Sequence, residues 1–224
     1  MNASISYANQ ILASVRSMTA DDFDRLMKRP GRPASSGIEL LSMAANPPPG
    51  ASRYFKKASI ASKLVPLLDP LLENGSTLRV VGSNRPNLTQ RDYPWKTKLK
   101  EWAKRGIHIH MLMLDPSEEG VSVLNELQSA APDQIKIWTA ASQPTAATNT
   151  NTRLWLRELE STHFVSVENP SLLWFESYHL PGSIQADHCR FYSQDSAYGR
   201  ALAHQLNERF DGLIASPQVS ALTD

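Results

Sequence analysis

From Thr77 onward the chain alternates short apolar runs with amphipathic stretches, and this alternation limits the fold more than any other feature. LRVVGSN reads as a buried strand, and TQRDYPWKTKLKEWAKRG as a helix with Trp95, Leu99 and Trp102 on one face and Gly106 as its stop. IHIHMLMLDP is a second strand closed by Asp115 and Pro116. Ser117 then caps a helix that turns Val121, Leu124 and Leu127 inward, and QIKIWTA is a third strand. Beyond a Thr- and Ala-rich loop, an Arg153–Glu160 segment precedes two apolar runs, 163–167 and 172–177, on either side of Glu168-Asn169-Pro170-Ser171. Those four residue types form a tight reversal, so the runs are read as a β-hairpin. A strand over His188–Tyr192 and a helix over Ser196–Ile214 complete the pattern. The expected class is α/β: a mixed, largely parallel sheet flanked by helices, with an antiparallel hairpin added.

The first 76 residues differ in texture. Apolar positions at helical spacing over 3–28 and 38–45 are separated by RPGRPASSG and NPPPGAS, which are loops because consecutive prolines neither extend a helix nor fit a central strand. RYFKKASIASKLVPLLDPLLENG is expected as a helix broken at Pro66 or Pro70 and finished at Gly75. The chain therefore divides into a helical, Pro-containing segment at 1–76 packed on the main domain, an α/β domain at 77–216, and a tail at 217–224. A hydrophobic content of 41% over 224 residues supports a proper core. No apolar run is long enough to cross a bilayer, and no basic leader precedes one, so a cytoplasmic protein without a membrane partner is expected. A single cysteine, Cys189, excludes an intrachain disulfide and any zinc site built from several thiolates. The net charge of +1 hides a polarity. Residues 1–100 hold 15 Lys and Arg against 7 Asp and Glu, and residues 101–224 hold 8 against 15. A basic face for an acidic partner, or two halves that attract each other within the fold, accounts for that split equally well.

Three of the six histidines and the cysteine fall between Thr162 and Cys189. With Asn169 and Pro170 at the hairpin tip, His163 faces Glu176 and Val165 faces Trp174. A carboxylate beside an imidazole fixes its tautomer and raises its pKa, which suits a general acid, a general base or a His nucleophile. An ordinary polar pair on a half-buried sheet satisfies the same pattern. His108 and His110, two apart on a strand, share a face, but no third ligand is identifiable, so no metal is expected and no cofactor. His188 and Cys189 are adjacent on a strand and point to opposite faces, which prevents them from acting together. Gly82-Ser83-Asn84 leaves a strand where α/β folds bind ligands, without the glycine pattern of a dinucleotide or phosphate loop. Lys28-Arg29-Pro30-Gly31-Arg32-Pro33 shares Gly-Arg-Pro with minor-groove hooks. Together with Arg25, Arg53, Lys56, Lys57 and Lys63 it forms a basic surface.

The order strand, helix, WAKRGIHIHMLMLDP, helix, strand and His-initiated hairpin resembles one half of the phospholipase D-like superfamily, over roughly residues 77–214. In that family the hairpin opens with His-x-Lys and carries a Gly-Ser-x-Asn-like tetrad on its return strand. The matching positions here are His163-Phe164-Val165 and Glu176-Ser177-Tyr178-His179. The resemblance places the family's nucleophile on His163, but its phosphate-binding lysine falls on Val165 and its acidic residue meets Asn169-Pro170. His188-Cys189-Arg190 is the nearest substitute for the missing cation. No His-x-Lys occurs in the chain, so a second copy supplies none either.

Three functions follow from these readings. The first is a non-catalytic binding or inhibitory protein on a degenerate phospholipase D-like scaffold. It would dock a partner protein through Arg25, Lys28, Arg29, Arg32, Arg53, Lys56 and Lys57, as a plasmid- or phage-encoded factor that blocks a competitor's conjugation machinery would. The second is a phosphodiesterase or nuclease using His163 with Glu176 and His179. The third is a DNA-binding accessory protein, with nucleic acid as its partner. Nothing in the pattern specifies an oligomeric state.

Overall fold

A computed structural model describes residues 37–58, 63–83, 94–141, 150–159, 162–179 and 186–222. In chain order these form α1 (Gly37–Ala45), β1 (Arg53–Ala58), α2 (Val65–Leu68), β2 (Thr77–Ser83), α3 (Pro94–Lys104), β3 (His108–Leu114) and α4 (Glu118–Ser129). They continue with β4 (Ile135–Ala140), α5 (Thr150–Glu158), β5 (His163–Glu168), β6 (Leu172–His179), β7 (Ala186–Tyr192), α6 (Ala197–Ile214) and β8 (Val219–Ala221).

The strands form one sheet in the order β1-β7-β6-β5-β2-β3-β4-β8. Strands β2, β3 and β4 run parallel, joined by crossovers through α3 and α4. This is the mixed α/β sheet flanked by helices that the alternation implies. Its parallel part is smaller than expected, since the other five ladders are antiparallel. After α5 the chain re-enters beside β2 from the opposite end, and the short β5–β6 connection forces reversal, so the added hairpin brings antiparallel neighbours with it.

Period-two burial sorts the side chains into two layers. Ile109 and Met111 of β3, Ile135 and Ile137 of β4, Val165 and Val167 of β5, and Trp174 of β6 pack against Leu68, Trp95, Leu99, Trp102, Leu124 and Leu127 from α2, α3 and α4. Leu112 and Leu114 of β3, with Phe164 and Phe175 of the hairpin, meet Leu40, Leu156, Leu202, Leu206 and Phe210 from α1, α5 and α6. Both faces of the centre are covered, which explains why the central strands carry apolar residues on both faces. Ser117 caps α4 by accepting from the Gly120 amide at 3.1 Å, and Gly106, at φ +81°, ends the turn after α3.

Two expectations are corrected. The run from Arg53, expected as helical, is a strand: its backbone pairs with β7, and Phe55 packs on Trp174 with ring centroids 5.5 Å apart. Aromatic side chains suit a pleated surface, and pairing with β7 decides the state of this short run. Residues 219–221, expected as part of a tail, pair with β4, and Leu222 donates its amide to the Ile137 carbonyl at 2.9 Å. The outer edge of β4 would otherwise lack backbone partners, and Val219 is buried by the addition. No helix among the described residues is long and apolar enough to cross a membrane.

Candidate functional site

The hairpin has the register read from its tip residues: His163 pairs with Glu176, Val165 with Trp174 and Val167 with Leu172. Asn169, at φ +58°, takes the left-handed conformation that Asn tolerates better than most residues. His163 and Glu176 project from the same face as Val165 and Trp174, the face covered by α2, α3 and α4. Both are interior groups, with His163 4% exposed and Glu176 3%.

His163 Nδ1 lies 3.9 Å from Glu176 Oε2, a contact longer than a hydrogen bond. The other carboxylate oxygen, Oε1, accepts the indole N–H of Trp174 at 2.8 Å. Trp174 therefore orients the carboxylate, and its apolar body fills the space beside it. On the other flank, Cys189 is the cross-strand neighbour of Glu176 on β6 and of Phe55 on β1, and it is fully buried. Val165, where the resembling family has its lysine, is 1% exposed and lies between Val80 and Trp174 in the sheet. A lysine there would place an ammonium in a dry layer, so the aliphatic residue suits the packing.

The remaining predicted groups that fall among the described residues are dispersed. His179 pairs through its backbone with Ala186, and its side chain lies outside the described residues. His188 is exposed, and alternation along β7 turns it to the face opposite Cys189, away from His163; its Nδ1 lies 2.8 Å from the Tyr54 hydroxyl. Arg190 does not substitute for the missing lysine. Its Nε donates to the Ala45 carbonyl at 2.9 Å and its guanidinium lies 5.2 Å from the Tyr54 ring centroid, on the α1 side of the sheet. His108 is exposed and His110 partly covered, and the described residues contain no group of three or more His, Cys, Asp or Glu placed to hold a metal. Arg25, Lys28, Arg29, Arg32 and Asn84 fall outside the described residues, as does the side chain of Lys57. Arg53 and Lys56 are exposed on β1.

Sequence reading missed two arrangements. Arg79, almost buried, donates to Asp211 through Nε at 3.0 Å and Nη2 at 2.9 Å, and to Glu168 through Nη1 at 2.9 Å, tying α6 to the sheet. Only an arginine within an apolar strand hinted at it. The second is a cleft of about 1140 Å³ beside the first residue of β1, lined by Pro48, Pro49, Arg53, Leu67, Phe191 and Tyr198 among others. The prolines marked its rim in the sequence, but the other walls come from distant segments.

No protein-family profile matches the chain, and no curated protein matches it significantly. Among solved structures it is similar to Nuc, a phospholipase D family member from Salmonella typhimurium. That match has 10% identity and a TM-score of 0.49 and covers 76% of this chain and 96% of that one. It is also similar to TrmBL2, an archaeal chromatin protein described with a novel mode of DNA binding, with 6% identity and a TM-score of 0.42, over 94% of this chain and 64% of that one. At these identities neither neighbour assigns a role to any residue here.

Proposed function

We propose that the protein is a non-catalytic binding protein on a phospholipase D-like scaffold, acting by occupying a partner protein as an inhibitory factor would. One observation carries this reading: the imidazole in the nucleophile position is an interior group, and the position two residues on is a core valine. Attack on phosphorus needs an accessible nucleophile and a cation at the phosphoryl oxygens, and this hairpin offers neither. The His–Glu pair then acts as a polar fixture of the sheet, held in place by Trp174. Docking falls to the surface that is exposed and basic, at Arg53 and Lys56.

The test is a cleavage assay on the full chain. Nicking of supercoiled DNA and hydrolysis of an activated phosphodiester are followed with and without divalent metal, for the wild type and for His163→Ala. The expected outcome is equal background rates for both proteins. Cleavage by the wild type that the substitution abolishes would replace this reading with an enzymatic one.

A further inference from the structure

We propose that β1 is a docking edge that takes up an extended acidic segment of a protein partner as an additional strand, anchored by an apolar side chain in the cleft where β1 begins. The inference rests on the binding-protein reading above and names the partner's chemistry at the same surface.

Four observations converge on it. Among the described residues β1 ends the sheet and β7 is its sole strand neighbour, so among them one side of its six-residue backbone has no strand partner for its donors and acceptors. Arg53 and Lys56 are exposed and project to opposite faces of the strand, so an acidic residue on either face of an added strand meets a cation. Tyr54, 45% exposed, is one of two large hydrophobic side chains left open among the described residues. It is held from below by the Arg190 guanidinium and by the His188 ring, whose centroid is 5.9 Å away. A ring fixed in this way offers contact area without losing rotamer freedom on binding.

The fourth observation is the cleft itself. Arg53, the first residue of β1, lines it together with Phe191, its cross-strand partner, and with Leu67 and Pro49. A segment running along β1 and past Arg53 reaches this cavity, whose size admits an aromatic or long aliphatic side chain. Main-chain pairing would supply affinity, and the charges with the cavity would supply selectivity, as in other complexes formed by strand addition. Charge complementarity favours a carboxylate-bearing chain over a neutral one. Edge backbone groups that can pair favour a polypeptide over a nucleic acid, whose phosphates need cations but no strand.

The test uses a short fluorescein-labelled peptide alternating Glu and Val with Phe at both ends. Its controls are a Lys-for-Glu version, an Ala-for-Phe version, a version with alternate amides N-methylated, and a single-stranded oligonucleotide. Anisotropy reads binding, and hydrogen exchange of residues 53–58 reads strand formation. The acidic peptide is expected to bind and to slow exchange at 53–58. The basic, Phe-less and N-methylated versions should each bind about tenfold more weakly. Arg53→Glu with Lys56→Glu should reverse the preference between acidic and basic peptides while leaving the melting temperature nearly unchanged.

Several results would overturn the proposal: no binding at roughly millimolar acidic peptide, equal binding by the charge-reversed protein, binding without protection of 53–58, or a preference for the oligonucleotide. Failure to bind would leave β1 as an edge guarded by its charges. That outcome is independent of the cleavage assay, so the docking edge can fail while the non-catalytic reading stands.

Discussion

Glu176 serves two neighbours with its two oxygens: Oε1 takes the Trp174 indole N–H and Oε2 faces the His163 ring. All of this happens in the interior, where an unsatisfied donor is costly. Glu176→Ala strands the indole N–H of Trp174 and should lower stability by about 1–3 kcal/mol. Glu176→Gln keeps an acceptor oxygen for that N–H and should lose clearly less. Urea denaturation midpoints at unchanged m-value give the comparison, and equal losses for the two variants would show that the Trp174 bond is not what fixes the carboxylate. The pairing of His163 with Glu176 was legible from the two turn residues, because a hairpin register follows from its tip. The involvement of Trp174 was legible too, in retrospect, since residues two apart on a strand share a face. Burial of the pair was not, because the cover comes from helices far away in the sequence.

The helix α6 and its contact with β2 and β3 form a second unit with its own consequence. Arg79 reaches across to Asp211 and Glu168, and Ser166 donates to Asn207 at 2.5 Å a turn earlier on the same helix. His110 is the cross-strand partner of Arg79, and its Nδ1 is buried without a hydrogen-bond partner among the described residues. Its ring stands edge-on to Trp138, with centroids 5.6 Å apart, and Trp138 in turn stands edge-on to Phe210 of α6. Burial, and next the positive Arg79, hold the His110 pKa below the ordinary 6.5; Asp211 opposes this, and His108 and Lys136 add to it. The unfolded chain therefore takes up the proton first as the pH falls. The contribution of His110 to stability is complete above about pH 6.5 and is lost progressively as the pH drops below it toward the depressed folded value. His110→Gln should flatten that part of the stability–pH curve measured by urea unfolding, and an unchanged slope would remove His110 from the account. This element was half legible: a helix over 196–214 follows from periodicity, whereas its ionic tie to Arg79 joins residues 132 apart.

At the scale of the whole molecule, the charge polarity between the first hundred residues and the rest is partly spent inside the fold. Arg79 binds Glu168 and Asp211, and Lys96 and Lys100 bind Glu126. Arg53 and Lys56 remain exposed on β1, which is why docking is proposed there. The order of elements from Thr77 and the two-faced cover of the sheet could be read from apolar periodicity alone, since each strand and crossover helix carries its own pattern. The strand at 53–58 and the strand at 219–221 could not, because short segments take the state that the sheet edge imposes on them rather than the one their own residues prefer. The proposed binding role requires His163 to be an interior fixture and not an available nucleophile. Diethyl pyrocarbonate modification of the native chain, followed by mass mapping of each histidine peptide, tests this directly. His108 and His204, both exposed, should react at once, with His163 protected until the chain is unfolded in urea. Modification of His163 in the native protein as fast as at His108 and His204 would contradict the claim.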